Sequence, residues 1–166
     1  MLMMWELNYF LGLQVKLVDH GTFLYEVKYY KELFKKFEMD KSKEATTHIA
    51  TNCYLSADEK RKSIDQTKYR SVIGSLIYLT TSRQNIMFGV CMSARYQSSP
   101  KESHFSAVKM IMKYLKGTLD DYLWYHKGVD IFPVGYSDSD FTKCKLDRKI
   151  TSSTCHLSGN GIVVIP

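Results

Sequence analysis

Gly135-Tyr136-Ser137-Asp138-Ser139-Asp140-Phe141, followed by Asp147-Arg148-Lys149-Ile150-Thr151-Ser152-Ser153, is the stretch whose reading decides how this chain folds. Asp138 and Asp140 stand two apart at the end of an apolar run. With Ile131–Tyr136 as a strand, the two-residue period directs both carboxylates to one side. Two acids on one face are half of what a hard divalent cation takes, since Mg²⁺ binds a few carboxylates together with waters and phosphate. No further close acidic cluster follows before Pro166. The site opens without closing, so the chain reads as a fragment.

Working outward, the short apolar runs Tyr122–Tyr125, Ile131–Tyr136, Thr154–Leu157 and Ile162–Ile165 read as strands, with Gly159-Asn160-Gly161 as a hairpin turn. Upstream the period changes to that of helices. Ser99, Pro100 and Glu102 form a capping box that starts a helix with Phe105, Val108, Ile111, Met112 and Leu115 inward, and Gly117 stops it. Met87, Val90, Cys91 and Ala94 mark a second helix. Tyr69, Val72, Ile73, Leu76, Ile77 and Thr80 form one broad stripe of a third, with Asp65 as its N-cap. The polar stretch from Met39 to Gln66 reads as a long connection. Before it, Tyr30, Leu33, Phe34 and Phe37 recur at helical spacing. Leu7–Leu17 and Thr22–Val27 pair as a hairpin around Asp19-His20-Gly21.

Composition sets the partners. The chain has 166 residues, of which 45% are hydrophobic, enough to bury a core. A formal charge of +6 and a pI near 9.0 favour polyanions, nucleic acid first. Lys28, Lys31 and Lys35 line one helix, and Lys109, Lys113 and Lys116 line another at i, i+4 and i+7. The plain reading is two solvated faces; the functional one is a surface laid along phosphates, each lysine releasing counterions. Tyr29 or Tyr114 could stack on unpaired bases, although aromatics at this spacing usually pack in a core. The cysteines Cys53, Cys91, Cys144 and Cys155 lack a C-x-x-C pairing, which argues against a zinc knuckle or a disulfide framework. His104 and His126 have no partner at ligand or triad spacing. Met1-Leu2-Met3-Met4-Trp5 lacks a basic n-region, and no apolar run reaches a membrane span. The expectation is a chain with no signal peptide and no membrane partner, cytoplasmic or nuclear.

Residues Gly135–Phe141 with Asp147-Arg148-Lys149 and Thr151-Ser152 resemble the start of the ribonuclease H domain in copia-type retrotransposon Pol polyproteins. Glu6-Leu7-Asn8-Tyr9-Phe10-Leu11-Gly12-Leu13 resembles the hairpin after the polymerase palm, and Tyr69–Thr80 a helix of the thumb and connection region. Ser99-Pro100-Lys101-Glu102-Ser103-His104 and Lys113–Thr118 extend the likeness over nearly the whole chain. The resemblance implies an α+β fold in three parts: residues 1–64, a primer-grip-like hairpin, helix and linker; 65–120, the helical thumb and connection; 121–166, an incomplete ribonuclease H-like sheet. It implies that Asp138 is the first carboxylate of a two-Mg²⁺ site, here incomplete, so that no catalytic site is whole and the isolated chain is inactive without a cofactor of its own. The parent activity would be RNA-directed DNA synthesis and RNA–DNA hybrid cleavage. An alternative is a nonspecific nucleic-acid-binding module that uses the basic helix faces, weakly, on a hybrid or another nucleic acid. Departures from the family pattern include Gln84-Asn85 where Pro-Asp is usual and Ser153 where Gly is usual, a loss that strains the backbone if that position needs φ > 0.

Overall fold

The structure is a computed structural model, and it describes residues 9, 10, 12–49, 55, 56, 58, 60–128, 133–140, 151–158, 161 and 162; for 133–162 and Phe10 it describes the backbone alone. The fold is mixed α/β. Strands β1 (Tyr9–Phe10), β2 (Leu13–Val18) and β3 (Gly21–Tyr25) lead into helix α1 (Val27–Lys36). Next in the chain come α2 (Gln66–Leu79), a 3₁₀ turn at Gln84–Ile86, α3 (Met87–Ala94) and α4 (Glu102–Gly117). The chain then forms β4 (Leu123–His126), β5 (Pro133–Asp140), β6 (Thr151–Ser158) and β7 (Gly161–Ile162). Two compact units result: Met1–Val15 with Tyr25–Tyr122, and Lys16–Leu24 with Leu123–Pro166.

The first unit is built on its helices. Tyr30, Leu33 and Phe34 of α1, Tyr69, Val72, Ile73, Leu76 and Leu79 of α2, Val90 of α3 and Val108, Ile111, Met112 and Leu115 of α4 share one core with Ile86 and Met39. The apolar period of α2 explains its share. At about 100° per residue, Tyr69, Val72, Ile73, Leu76, Leu79 and Thr80 fall within one arc, and all are buried. Ile77 falls outside that arc and is 48% exposed, so it does not belong to the stripe expected of it. Cys91 is likewise exposed, while Gly89 and Ser93 take the inward positions of α3.

Helix ends follow capping chemistry in one case and tertiary pairing in another. Asp65 caps α2 as expected, accepting from the backbone N–H of Thr67 at 2.8 Å and of Lys68 at 3.4 Å. The capping box expected at Ser99 does not form: α4 begins two residues later, with Lys101 as N-cap and His104 Nδ1 accepting from the Lys101 N–H at 3.0 Å. The cause lies far away in sequence. Ser63 and Lys101 form a β-bridge, the Ile64 N–H donates to the Pro100 carbonyl and the Glu102 N–H to that of Lys62, which holds the residues before α4 extended. Gly117 is the last helical residue rather than the stop; Thr118, at φ −128°, ends the helix and returns its hydroxyl to the Tyr114 carbonyl.

The connection before α2 carries no helix or named strand among its described residues, yet it is fastened to the helices. The Ala45 N–H donates to the Lys113 carbonyl, Tyr96 Oη to the Leu55 carbonyl, and His104 Nε2 lies 2.7 Å from the Ser56 carbonyl oxygen. At the amino end, the described part of the expected strand Leu7–Leu17 divides into β1 and β2, with Leu7, Asn8 and Leu11 outside the described residues. Gly12 adopts φ +86° between β1 and β2, where Tyr9 pairs with Gln14 and Phe10 with Leu13. A Cβ there would also lie 2.6 Å from Tyr78 Oη of α2.

In the second unit β3 pairs antiparallel with β4, Gly21 opposite His126 and Leu24 opposite Leu123. Gly21 is required by close approach: a Cβ would stand 2.3 Å from the Tyr125 carbonyl oxygen and 2.6 Å from the Trp124 ring. Strands β5, β6 and β7 form a three-stranded antiparallel sheet in that order. The expected strand Ile131–Tyr136 runs on past Tyr136, so that both Asp138 and Asp140 lie inside β5, while Ile131 and Phe132 lie outside the described residues.

Candidate nucleic-acid interface

Helix α1 is amphipathic. Its inward residues Tyr30, Leu33 and Phe34 are at most 4% exposed, and the 3.6-residue period leaves Lys28, Lys31 and Lys35 in solvent on the other side. Lys36 joins them and donates to Ser71 Oγ of α2 at 3.0 Å. Lys28 Nζ lies 5.2 Å from the centre of the Tyr9 ring. Lys31 and Lys35 are exposed, and an exposed lysine can be recruited by a phosphate at little cost.

The lysines of α4 differ from one another. Lys109 is exposed, with Nζ 4.8 Å from the Phe105 ring centre; Lys68 of α2 approaches the same ring at 5.9 Å. Lys113 is half-buried. Lys116 Nζ donates to the backbone carbonyls of Asp40 and Ser42, the latter at 2.9 Å, and so ties the turn after α1 to the end of α4. The regular i, i+4, i+7 spacing therefore brings together one solvent-facing cation, one partly covered and one engaged internally. Lys68 escaped the sequence reading because it sits on a different helix.

Tyr29 and Tyr114 are both partly buried against the helical core. The Tyr29 ring packs 4.8 Å from that of Tyr78, and Tyr114 Oη accepts from Asn85 Nδ2 at 2.7 Å. Their rings contribute to packing in this chain. His104 is fully buried, stacked 3.9 Å from the Tyr96 ring and bonded at both ring nitrogens. His126 is exposed on β4.

Asp138 stands opposite Ser153, and Asp140 opposite Thr151, in the β5–β6 register. Ser153 is a strand position, where extended backbone suits any residue. Asp147-Arg148-Lys149 and the turn residues Gly159 and Asn160 lie outside the described residues. Among the described residues no three His, Cys, Asp or Glu side chains gather as metal ligands, and no helix is long and apolar enough to cross a membrane.

One polar centre was not anticipated. Arg83, 7% exposed, donates Nε to Tyr30 Oη at 2.9 Å, Nη1 to Asp121 at 2.6 Å and Nη2 to the Thr118 carbonyl. Its guanidinium also lies 5.6 Å from the Tyr30 ring centre. Burial pushes the Tyr30 hydroxyl well above its ordinary range. Beside this cluster Glu26, the N-cap residue of α1, is 2% exposed and caps nothing. Neither carboxylate oxygen has a hydrogen-bond partner; the Ser82 and Tyr30 hydroxyls lie near without reaching bonding geometry. Burial raises its pKa above the usual carboxyl value, against the smaller opposing pull of Ser82, Tyr30 and Arg83.

Comparison with known proteins gives these elements a context. The chain is 34% identical over 159 residues to the retrovirus-related Pol polyprotein from transposon RE1 of Arabidopsis thaliana, covering 96% of this chain and 10% of that protein. It is 32% identical over 156 residues to the corresponding polyprotein from transposon TNT 1-94 of Nicotiana tabacum, covering 87% of this chain and 12% of the polyprotein. An uncharacterized mitochondrial protein of Arabidopsis thaliana matches at 30% over 156 residues, 94% of this chain and 65% of its own length. The chain thus spans about a tenth of the length of the polyproteins it matches. No family model matches it, and no solved structure matches it.

Proposed function

From a chain that belongs with the retrovirus-related Pol polyproteins of copia-type transposons, we propose that this stretch is the part of a reverse transcriptase and ribonuclease H that holds nucleic acid. On this reading β1–β3 correspond to a primer-grip-like hairpin, α1–α4 to the thumb and connection, and β5–β7 to the first strands of a ribonuclease H-like sheet. RNA-directed DNA synthesis and hybrid cleavage belong to the polyprotein as a whole. The contribution of this stretch is positional: cations set against the phosphates of an RNA–DNA hybrid, read without base specificity because a lysine face has no base-reading geometry.

The observation that carries the reading is the exposed row Lys28, Lys31 and Lys35 on a helix whose opposite side is sealed in the core. Lys109 and Lys68 at Phe105 add a second cationic patch within the same unit. On the same reading Asp138 corresponds to the first metal-binding carboxylate of a ribonuclease H-like site, and Asp138 with Asp140 supplies too few ligands for the two-Mg²⁺ clamp that strand cleavage needs. The role proposed for this stretch is therefore the binding of nucleic acid.

A salt titration tests it. Affinity for a labelled RNA–DNA hybrid should fall steeply with salt, and Lys28→Gln, Lys31→Gln and Lys35→Gln together should flatten the log–log slope by up to about three. An unchanged slope in the folded triple variant would leave these lysines as an ordinary solvated face.

A further inference from the structure

Glu26 and Arg83 form an arrangement that the nucleic-acid reading does not use. Arg83 clamps the segment after α4 through the Thr118 carbonyl and the Asp121 carboxylate. Asp121 itself is 59% exposed at the side chain, so its hold on the guanidinium is open to competition from solvent and from any better-placed anion. A buried competitor is already present. Glu26 is 2% exposed, has no hydrogen-bond partner at either oxygen, and stands one helical turn before Tyr30, whose N–H donates to the Glu26 carbonyl and whose hydroxyl accepts from Arg83 Nε at 2.9 Å. An unpaired buried charge is costly, so the seated carboxyl favours its neutral form; once ionised, it gains most by capturing the nearest guanidinium.

The groups that face Glu26 are Tyr29 and Tyr30 from α1, Tyr78 from α2, and Ser82 and Arg83 from the turn after α2, with Asp121 acting through Arg83. Among these described groups Arg83 is the only cation. The dipole at the start of α1 favours charge on an N-cap acid, but the side chain makes no bond to the helix N–H groups that would deliver this benefit.

We propose that Glu26 is a proton-dependent latch: neutral, it stays seated beside the Arg83 clamp; ionised, it draws Arg83 from Asp121 and releases the Thr118–Asp121 segment. The direction with pH follows from linkage. In the unfolded chain the carboxyl loses its proton in the ordinary range, while in the folded chain it keeps the proton to higher pH. Stability therefore falls as pH rises from the ordinary carboxyl value through the raised folded value, and is level above it.

The test uses the full chain. A ¹³C-carboxyl NMR titration should find Glu26 changing charge above the ordinary carboxyl range, and Asp121→Asn, which leaves Arg83 without its anion, should move that midpoint down. Across the same window, exchange protection of the Thr118 and Asp121 amides, which bond to Leu115 and Thr118, should fall in the wild type after correction for intrinsic rates and hold constant in Glu26→Gln. The unfolding constant of the wild type relative to Glu26→Gln should rise by up to about tenfold per pH unit there. An ordinary Glu26 midpoint, a midpoint unmoved by Asp121→Asn, or the same pH profile in wild type and Glu26→Gln would each overturn the latch. Should Glu26→Gln fail to fold, the two NMR titrations still decide.

Discussion

Substituting Gly12 by Ala asks two things of the chain at once, and the structure separates them. Gly12 sits at φ +86°, a conformation that costs an L-residue about 1–2 kcal/mol. The added methyl would also meet Tyr78 Oη at 2.6 Å and the ring carbon bearing it at 3.3 Å. Tyr78 would have to give way, and its ring packs 4.8 Å from that of Tyr29. Overpacking of this kind costs about 1–3 kcal/mol. Gly12→Ala should therefore destabilise the protein by roughly 2–5 kcal/mol, read as a shift in urea midpoint at constant m. In a Tyr78→Phe background the 2.6 Å contact vanishes, leaving the backbone cost of about 1–2 kcal/mol and the milder 3.3 Å approach to the ring carbon. The double-mutant cycle should thus show a coupling of about 1–2 kcal/mol between the β1–β2 turn and α2. Equal losses in both backgrounds would refute the seating of that turn against Tyr78.

Other expectations follow from single contacts. Lys116→Met should destabilise by about 1–2 kcal/mol in chemical denaturation, since the Asp40 and Ser42 carbonyls lose a charged donor, whereas Lys109→Gln should leave stability within about 0.5 kcal/mol. Asp65→Ala should cost about 1 kcal/mol by removing the acceptor for the Thr67 and Lys68 amides, and Asp65→Asn should restore most of it. Native-state hydrogen exchange should find the slowest amides of the first unit within Val72–Leu79, whose inward side chains are fully buried.

Local signals in the sequence carried the helices well. The Asp65 cap and the apolar period of α2 were legible because both depend on neighbours within a few residues. Ser99-Pro100 carried an equally good local signal for the start of α4, yet the bridge between Ser63 and Lys101 overrode it, and nothing near Ser99 announces a partner 38 residues upstream. The same reason hid the polar centre. Arg83 reaches Tyr30 across 53 positions and Asp121 across 38, and Glu26 looks in sequence like an ordinary acid before a helix. Among the basic residues, spacing alone could group Lys109, Lys113 and Lys116; only the fold reveals that Lys116 is bound to the turn at Asp40–Ser42 while Lys68 joins Lys109 at Phe105. The acids Asp138 and Asp140 were legible as a pair on one strand, although that strand runs farther toward its carboxyl end than its apolar run implied.

The most direct test of the central claim is photo-crosslinking of the folded chain to an RNA–DNA hybrid carrying a photoreactive backbone-proximal label, with the attachment sites read by mass spectrometry. The account predicts crosslinks on the α1 peptide that holds Lys28, Lys31 and Lys35, suppressed by salt and independent of the hybrid's base sequence. Crosslinks that avoid α1, or that persist unchanged at high salt, would contradict it.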